Sequence, residues 1–538
     1  MTPEQAYQTV QQTLYVLAPE ILLVAVAIVM MTASPFVKVA RKHWCALAAA
    51  ALAAAVMVLS ATRHVDPDVY AASAINDAFS FYVRLFVLLS GFIMLGLAHR
   101  EPPEGRAAEF FGSFLMLEAG TMLTASSNDL ILLFVGLELV SIPTYLWLYL
   151  SRRSAATREA TTKYFFLSIF ASALTLYGMT FLYGAAGTTN LKALGALTAS
   201  SIPYFPNMSL GILAVVFVMG GLCFRIAAVP LHFYAPDVYQ ASPLPVTAML
   251  SWVPKVVGSA AMIRVLTAVL ASRQMGDPLV HKVVILCWII AVATMTLGNM
   301  VGLLQTDLKR LLAYSSIAHA GYIMVGITAA FAGGEKGIAF YHGVEAVLFY
   351  LVAYAFMTLG AFGLIQALQT RDGRPATSIY DLSGAGWSNR IPAFGLTICL
   401  LSLLGFPPMA GFLGKFQIFS AAFAAVEGPE AFSLQLLAVI GMLNAAVGAF
   451  YYLRIIVLMY LGEPAEPLTA VGGWPVALAT ATCAVMSILV TIASEPISRA
   501  CHEAAVASNA RPAAAIELPP PGTATAAVAP PAIRVARD

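Results

Sequence analysis

The hydrophobic positions fall into long runs separated by short polar connections. A helix crossing a hydrocarbon core of about 30 Å needs roughly 20 predominantly apolar residues. Fourteen stretches meet that need, starting near Leu14, Trp44, Phe79, Phe110, Leu130, Tyr164, Leu210, Pro245, Leu279, Leu311, Ile338, Ile391, Leu434 and Trp474. The pattern predicts an all-α polytopic membrane protein of about 14 transmembrane helices, with little chain left for a soluble domain. Longer polar segments are expected at Ala185–Asn207, at Gln369–Arg390 and in a tail from about Ser498. The tail's PPPGTATAAVAPPAIRV run predicts disorder.

Two runs carry internal prolines: Pro230 within GLCFRIAAVPLHFYAPDVY, and Pro407–Pro408 within LSLLGFPPMAGFLGKFQIF. A mid-helix proline frees a carbonyl, which lipid tolerates only where protein or water satisfies it. These runs are the seventh and the twelfth, five apart and therefore of opposite direction. A five-helix unit repeated upside down places its broken helices in that way, flanking a shared path at the midplane. The plain alternative is an ordinary kink, which two corresponding positions argue against. The expected organisation is a three-helix segment over 1–109, a first five-helix repeat over 110–270, its inverted copy over 271–461, a C-terminal helix over 462–497 and the tail over 498–538.

Composition agrees with lipid as the solvent. Hydrophobic residues make up 60% of the 538 positions and charged residues 10%, with a mean hydropathy of +0.82; soluble chains carry roughly 25% charged residues. A net charge of +2 without a basic run gives no footing for nucleic acid. Cys45, Cys223, Cys287, Cys399, Cys483 and Cys501 are scattered, with no C-x-x-C or Cys/His cluster, so no iron–sulfur, haem or zinc site is expected. Glu4 near the N-terminus and the lack of a basic leader predict that the first run is retained as a helix. Sorting Lys and Arg by alternate loops gives fourteen on one side, among them Lys38, Arg41, Lys42, Arg152, Arg153 and Arg371, against five on the other, Arg63, Lys192, Arg273, Lys282 and Lys336. The richer side is predicted to be cytoplasmic, with both termini outside.

A charge at the centre of a spanning helix costs about 2.5–3.5 kcal/mol on insertion scales, so each is a functional candidate. Glu138 lies about nine residues into Leu130–Leu150, roughly 12 Å deep. Lys255 is similarly deep in the run from Pro245; Arg225 precedes the first break and Lys415 follows the second. His232 and His319 are groups able to relay protons near neutrality. Arg84, Arg264 and Arg454 are expected to be structural partners or to reach the interface. Lys255 and Lys415 have no opposite charge within a turn of their own helices, and a desolvated lysine without a fixed partner is suited to gaining and losing a proton. A pair formed by Glu138 and a cation would be worth roughly 4 kcal/mol at 4 Å and an effective dielectric near 20. Glu118, midway through the fourth run, has no evident partner.

LILLFVGLELVSIPTYLWLYL, APDVYQASPLPVTAMLSWVPKVVG, QTDLKRLLAYSSIAHAGYIMVG, FYLVAYAFMTLGAFG, GFPPMAGFLGKFQIF and YYLRIIVLMY, over about residues 75 to 461, together resemble the antiporter-like subunits of respiratory complex I. The PDVYQ…P-x-PVTA stretch followed by a lysine is similar to the N branch of that family. The resemblance implies a proton path through Glu138, Lys255, His319 and Lys415. The family carries a lysine where this chain has Arg225, and arginine does not deprotonate in proteins. Arg225 is therefore expected to be a fixed counter-ion of Glu138, and either proton loading passes to Lys255 and His232 or the entry half-channel is impaired. The resemblance also implies an assembly in which partner subunits hold NADH, FMN, iron–sulfur clusters and a quinone, with no cofactor in this chain. Implied neighbours are an M-type antiporter-like subunit and small K- and J-type subunits in the cell inner membrane. The alternatives are a cation/proton antiporter, a hydrogenase-type membrane arm or a purely structural, non-pumping spacer subunit.

Overall fold

The computed structural model describes residues 2–65, 67–151, 155–199, 208–270, 277–332, 338–369, 373–424, 431–463 and 468–509. Arg152, Arg153, Arg273, Lys336, Arg371 and the tail beyond residue 509 lie outside them. The described residues are almost wholly helical. Among them, ten helices are long and apolar enough to cross a membrane: α3 (Arg41–Ala61), α4 (Ala78–Ala98), α6 (Leu130–Ser151), α7 (Ala155–Ala186), α11 (Leu244–Leu270), α12 (Pro278–Leu303), α13 (Leu308–Ala332), α14 (Ile338–Ala367), α18 (Ala431–Leu461) and α19 (Gly473–Ile492). The pair α1 (Pro3–Val16) and α2 (Ala18–Ala33), bent by 63° at Leu17, adds an eleventh if taken as one span. The first run thus starts earlier than its apolar residues indicate, because α1 is polar and opens with a Thr2–Gln5 capping box.

Four helices form the interior. Every residue of α13 from Ser315 to Ala332 is buried, and α5 (Ala107–Ser126), α11 and α14 are nearly so, whereas α3, α7, α18 and α19 expose one side. A helix that is apolar all round belongs inside a large bundle. Small residues let the backbones close up. A Cβ on Gly298 of α12 would fall 2.6 Å from Ala318 N of α13, and one on Gly321 of α13 would fall 2.6 Å from Met295 N of α12.

Both expected breaks are present. α9 (Met208–Ile226) gives way at Ala227, which takes a left-handed φ of 58°, and the helix resumes as α10 (Tyr234–Ala241). Val229 N donates to Thr294 Oγ1 of α12 at 3.0 Å, and Tyr234 Oη donates to the Phe224 carbonyl at 2.9 Å. α16 (Arg390–Leu404) ends at Gly405, with φ 89°, and α17 (Ala410–Ala424) follows. Gly405 and Phe406 N–H groups both cap Leu401 O at 3.0 Å, and Gly411 N donates to Ser402 Oγ at 3.1 Å. The interruptions are therefore satisfied by protein, as lipid demands.

The segments read as loops carry short elements. α8 (Leu191–Ala199) lies within 185–207, α15 (Ala385–Ser388) within 369–390, and the strand β1 (Leu368–Gln369) pairs antiparallel with β2 (Thr469–Ala470). The expected tail is helical at its start, since α20 (Ser494–Asn509) runs past residue 498. It is held by Ser498 Oγ to Glu345 Oε1 (2.5 Å), His502 Nδ1 to Glu345 Oε2 (3.0 Å) and Tyr82 Oη to Glu503 Oε2 (2.8 Å).

Candidate functional site: a row of buried charges

Three polar nodes lie in the apolar interior. The first joins α6, α7 and α9. Arg225 Nη2 meets Glu138 Oε1 at 2.8 Å and Ser172 Oγ at 3.1 Å, and Arg225 Nη1 donates to Ser141 Oγ. Ser172 Oγ also donates to Glu138 Oε1 at 2.5 Å. Ser141 lies one turn beyond Glu138 on α6, so both present to Arg225 from one face. The guanidinium is thus fixed by three side chains, as a counter-ion role requires.

The second node surrounds Lys255 on α11. Its Nζ donates to Ser316 Oγ of α13 at 2.5 Å and to its own-turn Ser251 carbonyl at 3.3 Å, and lies 5.3 Å from the Tyr354 ring centroid. Tyr354 Oη of α14 donates to the same Ser316 hydroxyl at 3.0 Å, with Tyr239 Oη at 3.3 Å. One turn along α13, the His319 ring lies tilted against that of Tyr354 with centroids 5.1 Å apart. Its Nδ1 pairs with Tyr350 Oη, and its Nε2 with Tyr452 Oη at 3.1 Å; Tyr452 Oη in turn pairs with Ser315 Oγ.

The third node is Lys415 on α17. Its Nζ donates to the Leu403 and Leu404 carbonyls at 2.9 Å each, the groups released where α16 breaks, and sits 5.1 Å over the Tyr322 ring. Tyr322 in turn lies edge-on to His319 at 5.6 Å and accepts from Asn299 Nδ2 at 3.0 Å. Among the described residues no carboxylate is within ion-pair distance of Lys255 or Lys415, and both are buried.

The structure brings together Glu138 with Arg225, and Lys255 with His319 and Lys415 through shared serine and tyrosine partners. His232 stays in the first break, half-buried, and no hydrogen bond joins it to Arg225 or Lys255 among the described residues. Its expected loading role gains no geometric partner. The cations set aside as structural each have a partner: Arg84 meets Glu20 at 2.6 Å, Arg264 holds Asp77 through two bonds of 2.6 and 2.7 Å, and Arg454 donates to Tyr380 Oη at 2.8 Å. Glu118 is fully buried, and neither carboxyl oxygen has a hydrogen-bond partner. Sequence reasoning missed Ser141, Ser172, Ser316, Tyr350, Tyr354 and Tyr452. It also missed Asp237, which follows the first break and takes both Lys163 (3.2 Å) and Arg310 (2.9 Å).

A bundle of membrane-length helices, two of them broken beside buried cations, is an antiporter-like membrane subunit. Residues 127–461 match the family described as NADH:quinone oxidoreductase/Mrp antiporter, transmembrane, and the chain belongs to that family. Its relatives narrow the branch. It is 38% identical over 462 residues to NADH-quinone oxidoreductase subunit N of Rhodospirillum rubrum, covering 85% of this chain and 89% of the relative. Among solved structures it is similar to a chain of respiratory complex I from Thermus thermophilus, with a TM-score of 0.73 and 27% identity over 90% of this chain and 99% of the other. The Mrp complex of Dietzia sp. DQ12-45-1b shares the fold at 20% identity, with a TM-score of 0.77 over 95% and 98% of the two chains.

Proposed function

We propose that the chain moves protons across the membrane as the N-type subunit of a proton-pumping NADH:quinone oxidoreductase, using the row Lys255, His319, Lys415. The observation that carries this reading is a pair of buried lysines without carboxylate partners, linked toward one another by Ser316, Tyr354, His319 and Tyr322. Lysine, histidine, serine and tyrosine all pass protons by hydrogen bonds, and a lysine stem is long enough to swing between partners. Arg225 stays protonated and relays no proton; with Glu138 it forms a switch whose opening exposes Lys255 to a full charge. Protons enter from the cation-rich, cytoplasmic side near Asp237 and the first break, and leave outward past Lys415.

In this reading the two breaks belong to inverted five-helix repeats within fourteen spans, in the cell inner membrane with both termini periplasmic. NADH oxidation on FMN and iron–sulfur clusters and quinone reduction take place in partner subunits. The neighbours in the membrane are an M-type subunit and small K- and J-type subunits. The Mrp likeness is one of fold, and the subunit N relative at 38% identity favours this reading over a free-standing cation/proton antiporter.

The test is Lys255→Ala and Lys415→Ala in the assembled complex, with NADH oxidation and proton uptake followed together. Protons moved per electron should fall several-fold while the amount of assembled complex changes little. Normal pumping in either variant overturns the assignment.

A further inference from the structure

A groove of about 1320 Å³ runs between α3, α4 and α19, floored by α14 and by Val256 of α11. Its walls are apolar, with Phe92 on α4, Leu478 on α19 and Leu351 and Phe356 on α14. At one end Arg41, Lys42 and Arg100 gather, with Glu104 the one carboxylate on the rim. Arg41 is engaged, donating to the Arg100 and Pro102 carbonyls at 3.2 and 2.9 Å and lying 3.7 Å from Glu104. Lys42 and Arg100 are exposed, and neither has an anionic partner among the described residues. At the other end α20 lies against both α4 and α14, and its Ile497, Cys501 and Ala504 line the groove there.

We infer that this groove is a binding site for one anionic phospholipid, its phosphate against Arg100 and Lys42 and its acyl chains between α4 and α19. The charge pattern selects the headgroup: basic pockets between membrane helices take anionic lipids, and each cation near the headgroup strengthens attraction about five-fold. The shape selects a lipid over a partner's helix. Along α19 the groove extends from Gly473 to Met486, about 20 Å at helical rise, where a spanning helix needs about 30 Å. α20 blocks its far end, and chains that end inside the membrane fit such a pocket. Lining from α3, α4, α14, α19 and α20 makes the lipid a filler between the first three helices and the C-terminal ones.

The complex is purified in mild detergent, exchanged against vesicles of equal phosphatidylglycerol and phosphatidylcholine, and its retained phospholipid measured by mass. Variants are Arg100→Gln, Lys42→Gln and Ala46→Trp, the last an exposed groove-side position whose indole fills the channel. The unaltered complex should hold one more phosphatidylglycerol than the Ala46→Trp variant. Arg100→Gln and Lys42→Gln should each lower the preference for that lipid about five-fold. Equal retention in the Ala46→Trp variant overturns the site, and unchanged preference in the double Gln variant overturns the headgroup assignment. Cross-linking of Cys45, the one cysteine that is not buried among the six and a groove residue, to a partner subunit's helix also overturns it.

Discussion

Glu138, Arg225, Lys255 and Lys415 stood out in the sequence because a charge within an apolar run has no inexpensive explanation. Their linkers did not stand out. Serine and tyrosine are ordinary in membrane helices, and only the facing of α13 against α11 and α14 turns Ser316 into a junction for Lys255, Tyr354 and Tyr239. Ser316→Ala removes that junction, and a hydrogen bond to a charged group is worth about 1.5–3 kcal/mol. Pumping coupled to NADH oxidation should slow about ten-fold or more, and Ser316→Thr should restore most of it, as read by proton uptake in membrane vesicles. Arg225→Lys keeps the charge opposite Glu138 while giving the site a group that can release its proton. If the arginine limits entry, the proton-to-electron ratio rises in this variant; a ratio that stays level assigns Arg225 to the switch alone.

At the scale of elements, the breaks were legible because proline inside an apolar run is a direct backbone signal. Their closure was not legible, since it relies on atoms from elsewhere: Thr294 for the first break, Lys415 for the second. α20 was missed for the opposite reason. SEPISRACHEAAVASN is too polar to look like a span, and its burial depends on Tyr82 and Glu345 on distant helices. Gly405 occupies a left-handed conformation, and a Cβ there would stand 3.2 Å from Lys415 Cδ. Gly405→Ala should cost about 1–2 kcal/mol from the backbone alone. A thermal unfolding scan should show the loss, and pumping should fall with it because Lys415 must move aside.

Across the whole molecule, an ion pair staples the first three spans to the bundle. Arg264 near the end of α11 grips Asp77 at the start of α4, while Arg84 of α4 grips Glu20 of α2 and ties those two spans to each other. Burial pushes the Asp77 carboxyl up, but the charge and hydrogen bonds of Arg264, the Ser80 N–H and the charge of Lys192 together outweigh it and leave the group below the usual carboxylate range. A lowered folded value means the stabilisation is fully present above the unfolded value near ~3.9 and fades as pH falls through the folded one. Asp77→Asn should therefore destabilise the protein by about 3–5 kcal/mol at pH 7 and flatten the acid side of its stability profile, measured by melting temperature from pH 3 to 7. An unchanged profile would show that Asp77 does not staple the spans. The second break gives this architecture a mechanical meaning. Lys415 clamps the two carbonyls that end α16, and in the proposed path it is also the last proton holder of the row. On that proposal, emptying it would loosen the clamp, so that discharge and the yielding of the backbone would be one event. The exit would then act as a latch that reports its own charge through the shape of the helix, and a probe of backbone motion between residues 403 and 411 would keep time with the pump.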